Sequence, residues 1–132
     1  MTKLLIPLTI LLAFASCDNT KLDKTRVTQI GQAIMNIDKL NLSNKNIRDI
    51  VFVGDSLVAK LLLIKANANK YDLKVEEGDL KEPYGNKKAD YVLKINTDFQ
   101  NIAIRLKYNA QINKYDILGW MTLPLLPLIT VD

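Results

Sequence analysis

Histidine is absent from this chain of 132 residues, and cysteine occurs only once. Without histidine the protein has no histidine-based catalytic triad, no histidine metal ligand and no histidine pH switch. A single cysteine excludes an intramolecular disulfide and a cysteine-rich zinc centre, so we expect no metal and no cofactor. Five glycines and four prolines exclude collagen-like and low-complexity chains. The remaining composition, 48% hydrophobic and 24% charged residues, is typical of one modest globular domain.

The first sixteen residues have the three parts of a secretory signal. Lys3 provides a short basic region, and Leu4 to Ala15 are twelve residues without a charge, after which the sequence becomes polar. This apolar run is shorter than the roughly 20 residues that a helix needs to span a bilayer. We therefore predict that residues 1–16 are an export signal and form an N-terminal signal helix.

The only cysteine stands where the apolar run ends, in the triplet Ala15-Ser16-Cys17. This triplet resembles the lipobox of bacterial lipoproteins, although that family usually has Leu where Phe14 stands. The resemblance implies that Cys17 carries a diacylglyceryl group and, after cleavage of the signal, an acyl chain such as palmitate on its amino group. It also implies a membrane-anchored protein that faces the periplasm, and Asp18 resembles the residue that retains enteric lipoproteins at the inner membrane.

An alternative cleavage site lies two residues before the cysteine. Ala13-Phe14-Ala15 matches the A-x-A pattern of ordinary signal peptidase sites. Cleavage after Ala15 would release a soluble exported protein with a free thiol near its N-terminus. The two alternatives differ in whether Cys17 is acylated.

Hydrophobic periodicity divides the mature chain into a tether, residues 17–24, and a single small α/β domain, residues 25–132. Helical spacing predicts helices over 25–40 and 57–70, and alternation predicts strands over 71–76, 89–95 and 102–112. An unbroken apolar run predicts a further strand within 47–53. We expect a mixed, largely antiparallel sheet of about four or five strands packed with two helices.

Residues 120–130 are almost uncharged and contain Pro124 and Pro127, which a central strand does not tolerate. We predict that residues 117–123 pair with the strand at 101–112 as the outer strand, and that the chain then runs irregularly over the core. A partner-binding patch and an interfacial anchor are the alternatives for this segment.

The stretch Ile50-Val51-Phe52-Val53-Gly54-Asp55-Ser56-Leu57 resembles the nucleophile block of GDSL or SGNH esterases. That resemblance implies Ser56 as a nucleophile. The family uses histidine as the base, and this chain has neither histidine nor the family's Gly-x-Asn-Asp block. We favour Asp55 and Ser56 as a helix cap, with a reduced esterase that uses Lys60 as base as the alternative.

Three basic residues, Lys94, Arg105 and Lys107, are candidate ligand or surface contacts. Strand parity places all three on the sheet face opposite the Ile/Leu side, where we expect an exposed basic face. Such a face suits an envelope protein or an anionic lipid, or is simply solvated. The acidic residues Glu76, Glu77, Asp79 and Glu82 indicate a solvated turn.

A net charge of only +4 and the lack of aromatic residues on the basic face argue against nucleic acid as a partner. The sequence therefore favours a lipid-anchored envelope protein with a non-catalytic binding or scaffolding domain.

Overall fold

The computed structural model describes residues 19–52, 54–80 and 87–124. Their helices are α1 (Asn19–Asn36), α2 (Lys39–Ser43) and α3 (Ser56–Asn67). Their strands are β1 (Ile50–Val51), β2 (Tyr71–Glu77), β3 (Tyr91–Thr97), β4 (Asn101–Asn109) and β5 (Lys114–Leu123). The predicted signal, Cys17, Glu82 and residues 125–132 lie outside the described residues.

The strands form one five-stranded sheet in the order β1-β5-β4-β3-β2. β2 to β5 are consecutive antiparallel neighbours, and β1 pairs parallel with β5. The prediction of a small mixed, largely antiparallel sheet packed with helices is confirmed. The pairing of residues 117–123 with the preceding strand is also confirmed. β5 is not the outer strand, however, because Ile50 and Val51 pair along its other side.

The hydrophobic core lies between the helices and one face of this sheet. The helices contribute Val27, Ile30, Ile34, Leu57, Leu61 and Ile64, and the strands contribute Leu93, Ile95, Ile102, Ile104 and Leu106. Full burial of such a side chain stabilises the fold by about 1.5–3 kcal/mol. The alternating apolar residues of β3 and β4 therefore fix which face of the sheet the helices cover.

The first helix differs from its prediction at both ends. It begins at Asn19, within the segment assigned to the tether, and ends at Asn36 rather than near residue 40. The break follows from Asp38, which adopts an extended conformation and accepts a hydrogen bond from the Asn41 amide at 2.7 Å. Asp38 thereby caps a new helix, α2, which begins where hydrophobic periodicity predicts that the first helix continues to residue 40.

Two glycines have conformational reasons for their positions. Gly54, between β1 and α3, has a φ of 82°, which residues with a side chain rarely adopt. Gly31 lies inside α1, where a Cβ would stand 3.0 Å from one Leu73 methyl and 3.1 Å from a Leu93 methyl. The sequence suggests only that Gly31 weakens the helix. The structure shows that it lets α1 approach β2 and β3 closely.

We predict that Gly31→Leu destabilises the domain by about 1–3 kcal/mol, because the added side chain overpacks the contact with Leu73 and Leu93. The matched control is Gln32→Leu, which adds the same side chain at the neighbouring exposed position and is expected to change stability by about 0.5 kcal/mol or less. Urea denaturation measures both. Equal stabilities of the two variants would mean that α1 does not approach the sheet as closely as described.

Candidate functional site

Arg105, predicted to lie on an exposed basic face, is buried. Only 2% of its side chain is exposed, so that part of the prediction is wrong. Strand parity assigns Arg105 correctly to the face opposite the helices, with Val92 and Lys94. That face is covered at this point, because the segment between β2 and β3 places Asp79 and Lys87 against the guanidinium.

The Arg105–Asp79 contact is a bidentate ion pair. Nε of Arg105 donates to Oδ1 of Asp79 at 2.8 Å, and an Nη donates to Oδ2 at 2.7 Å. The same Nη donates to the carbonyl oxygen of Lys87 at 2.9 Å. The backbone amides of Leu80 and Ala89 donate to the two carboxylate oxygens, which completes a dense buried network. Such fork-to-carboxylate geometry is among the strongest polar contacts in proteins.

Asp79 is therefore a structural residue and not part of a solvated turn. Its side chain is 3% exposed, and hydrogen bonds from Arg105 hold the pKa of its carboxyl well below the ordinary value of 3.8. Burial alone would raise that pKa, and the hydrogen bonds outweigh it. Sequence reasoning missed the pair because the two residues lie 26 positions apart and nothing in the loop composition indicates burial.

The other two predicted basic residues lie on the same face but differ in environment. Lys94 donates to Glu76 at 2.8 Å, and Lys74 approaches the same carboxylate at 3.6 Å. The hydrogen bond from Lys94 is the main cause that lowers the pKa of Glu76. Lys107, opposite Asp116 in β5, is half-buried. The three basic residues do not form one uncompensated cationic surface.

Ser56 begins α3, and no base among the described residues lies within hydrogen-bonding distance of its hydroxyl. Its Oγ accepts from Nε1 of Trp120 at 3.3 Å, while Nζ of Lys60 donates to Gln100 at 3.1 Å. Asp55 occupies the cap position without a side-chain cap hydrogen bond, and instead pairs with Lys45. The expected cap by Asp55 or Ser56 is therefore wrong in its contacts, although the predicted strand, glycine turn and helix are present.

One arginine and three tyrosines form a cluster where α1 lies against the turn between β4 and β5. Arg26 donates to Asp49 at 3.1 Å and to the side chain of Asn113 at 2.9 Å. Its guanidinium carbon lies 5.5 Å from the ring centre of Tyr115 and 5.9 Å from that of Tyr108. Tyr91 meets Tyr115 edge to face, with 6.2 Å between the ring centres.

Among the pKa shifts in this cluster, those of Tyr115 and Asp49 bear on its role. Burial raises the pKa of the Tyr115 hydroxyl, which has no hydrogen-bond partner among the described residues. Arg26, with a second contribution from Arg48, lowers the pKa of Asp49 despite its partial burial. The cluster therefore keeps its phenol neutral and its carboxylate charged, which suits a structural clamp.

A cavity of about 450 Å³ lies beyond the C-terminal end of α1. Three lysines line it, Lys39, Lys65 and Lys70, together with Asp38, and we call it the lysine cavity. Lys65 donates to the carbonyl oxygens of Ile34 and Met35, the last turns of α1, at 2.8 and 2.7 Å. Partial burial lowers the pKa of this ammonium group. No sequence motif indicates this site, because its lysines come from α2, α3 and the residue before β2.

Comparison with known proteins gives no match to this chain among protein-family models, curated proteins or solved structures. Within the described ranges, no helix is long and apolar enough to cross a membrane. Those ranges also hold no group of three or more histidine, cysteine or acidic side chains placed to bind a metal ion.

We predict that Asp79→Asn destabilises the domain by about 3–5 kcal/mol at neutral pH, because it leaves the buried Arg105 charge without its partner. The depressed pKa of Asp79 stabilises the folded state above pH 3.8, and this contribution is lost as the pH falls through the lowered folded-state value. The difference between wild type and variant is therefore expected to shrink below pH 3.8.

Urea denaturation across this pH range measures the difference. The matched control is Glu76→Gln, which breaks the partly exposed contact with Lys94 and is expected to cost about 1 kcal/mol or less. If Asp79→Asn lowered the free energy of unfolding at pH 7 by no more than this control does, the Arg105–Asp79 pair would not be buried.

Proposed function

We propose that the protein is a bacterial lipoprotein, exported to the cell envelope and anchored through acyl chains on Cys17, whose domain binds or scaffolds without catalysis. The observation that carries the anchor is the uncharged run Leu4 to Ala15, which ends at the only cysteine. Acylation also explains why an exported chain carries one cysteine, since a thioether cannot form an unwanted disulfide.

The number of acyl chains determines how firmly such an anchor holds. Each buried CH₂ contributes about 0.8 kcal/mol, so one acyl chain binds a membrane only marginally, whereas two or more hold it stably. A triacylated Cys17 would remain on its membrane facing the periplasm. Asp18, directly after the cysteine, favours the inner membrane for this anchor.

The lowered pKa values of three carboxylates support a non-catalytic domain. A general acid or base works best with a pKa near the operating pH. Arginine or lysine lowers the pKa of Asp49, Glu76 and Asp79, which moves all three away from neutrality. Each of these groups makes a structural ion pair instead of facing a substrate.

We expect Cys17→Ala to abolish fatty-acid incorporation and to leave an uncut precursor or a soluble form cleaved elsewhere, because the substitution removes the only thiol. Metabolic labelling with a fatty acid, followed by mass spectrometry of the mature N-terminus, measures both effects. Ser16→Ala is the matched control, because it retains the thiol and a small residue before it. Equal labelling of wild type and Cys17→Ala would contradict the lipoprotein assignment.

We expect no ester hydrolysis that depends on Ser56, because its hydroxyl accepts a hydrogen bond from Trp120 and the ammonium group of Lys60 donates to Gln100. The measurement compares hydrolysis of an activated short-chain ester by wild type and Ser56→Ala. The substitution removes one exposed hydrogen bond, so the free energy of unfolding is expected to fall by no more than about 1.5 kcal/mol. Hydrolysis by wild type that Ser56→Ala abolishes would make the protein an esterase.

A further inference from the structure

The lysine cavity has a net positive charge, from three lysines and one aspartate, and therefore suits an anion. Lys39 and Lys70 are both exposed, and neither ammonium group has an ion pair or a hydrogen bond within the part of the chain that the structure describes. The carboxylate of Asp38 accepts from the amide and the side chain of Asn41, at 2.7 and 2.9 Å, and so helps to start α2. Its charge is thus directed at a helix terminus, and the two lysines remain available.

Lys65 also favours an anion in the cavity, because it contacts the C-terminal end of α1. Its ammonium group donates to two carbonyl oxygens of α1, which carry the negative end of the helix dipole. An anion beside a bare helix C-terminus would be repelled, and Lys65 removes much of that repulsion. An ammonium group has three donors, so one remains after these two hydrogen bonds.

Apart from Asn69, the rest of the wall is apolar. Met35, Ile37, Ala68 and Tyr71 line the cavity, and 41% of Tyr71 is exposed. Small-molecule sites commonly have volumes of about 300–1,000 Å³, with apolar walls and a few polar groups that set orientation. The volume of about 450 Å³ is in this range and exceeds what an inorganic ion would fill.

The wall that carries Lys70 is held in place. The carboxylate of Asp98, in the turn between β3 and β4, accepts from the amides of Asn69 and Lys70 at 2.9 and 3.4 Å. The Asn69 bond is the largest cause that lowers the pKa of Asp98, so this carboxylate stays charged at neutral pH. The connection between α3 and β2 is therefore fixed, which limits the ordering that a ligand would have to impose.

We propose that the lysine cavity binds an organic phosphate, with the phosphate between Lys39 and Lys70 and the apolar part of the ligand against Ile37 and Tyr71. Lysine binds phosphate as a compact point charge, without the planar geometry that arginine requires. The proposal deepens the proposed function, since it rests on the domain being a binding domain, and it does not need the anchor. The phosphate can belong to a soluble phosphoester or to a lipid headgroup.

Lysine acetylation tests the site directly in the full chain, purified in nonionic detergent micelles that contain no phosphate. Mass spectrometry follows the acetylation of Lys39 and Lys70 as phenyl phosphate is added, with the exposed Lys24 and Lys114 as internal controls. We expect saturable protection of Lys39 and Lys70 alone. Because of its apolar part, phenyl phosphate is expected to protect at lower concentration than inorganic phosphate, and Tyr71→Ser to reduce this advantage.

Single variants show whether the two lysines share one ligand. In Lys39→Gln we expect the phenyl phosphate concentration that half-protects Lys70 to rise about tenfold, a factor that corresponds to 1.4 kcal/mol. Lys70→Gln is expected to do the same to Lys39. Lys24→Gln removes the same charge outside the cavity and is expected to leave both concentrations unchanged within about twofold.

Phosphatidylglycerol added to the micelles separates the two sources of phosphate. Protection by phenyl phosphate identifies a soluble phosphoester, and protection by phosphatidylglycerol alone identifies a lipid headgroup; either supports the cavity. The proposal is overturned if neither compound protects Lys39 and Lys70, or if Lys24 and Lys114 are protected equally. The Cys17→Ala chain is expected to show the same protection by phenyl phosphate, so a failed lipidation test and a failed cavity test are distinguishable.

Discussion

A guanidinium buried within a sheet must have a carboxylate partner, and this requirement governs how the second face of the sheet is covered. Removing an ion pair from water costs several kcal/mol per ion unless geometry and further hydrogen bonds compensate for it. Arg105 meets that condition because Asp79 binds it through both oxygens and Lys87 adds a carbonyl. Asp79 and Lys87, in the described parts of the connection between β2 and β3, must therefore lie against Arg105, and β4 is buried on both faces there.

This constraint also explains which parts of the fold the sequence could predict. Alternation predicts three of the four antiparallel strands, β2 to β4, and their faces correctly, because a shift by one residue would expose the apolar residues of β3 and β4. The fourth strand, β5, is predicted instead from the apolar segment that begins at residue 117. Parity assigns a side chain to a face, but it says nothing about what covers that face. Arg105 looked exposed for this reason. The apolar run at 47–53 indicates a strand there correctly, but the strand pairs with β5 only through Ile50 and Val51 among the described residues, directly after Asp49 with its φ of 68°.

The candidate site was predictable only in part. The predicted order of a strand, a glycine turn and a helix that starts near Ser56 is present in the structure. The lysine cavity could not be foreseen, because Lys39 is distant in sequence from Lys65 and Lys70 and meets them only once α1 ends at Asn36. That early end depends on Asp38 starting α2, a capping choice that hydrophobic periodicity does not register.

Hydrogen bonds from basic side chains to backbone carbonyls hold α1 near its middle and near its C-terminal end. Arg26 donates to the carbonyl of Asn113 in the β4–β5 turn, and Lys65 donates to the carbonyls of Ile34 and Met35. A helix of 18 residues is about 27 Å long at 1.5 Å per residue. In the proposed function, the anchor at Cys17 precedes one end of α1 and the lysine cavity lies at the other. Acylation and ligand binding would therefore use opposite ends of one fixed helix, so neither process has to displace the residues that serve the other.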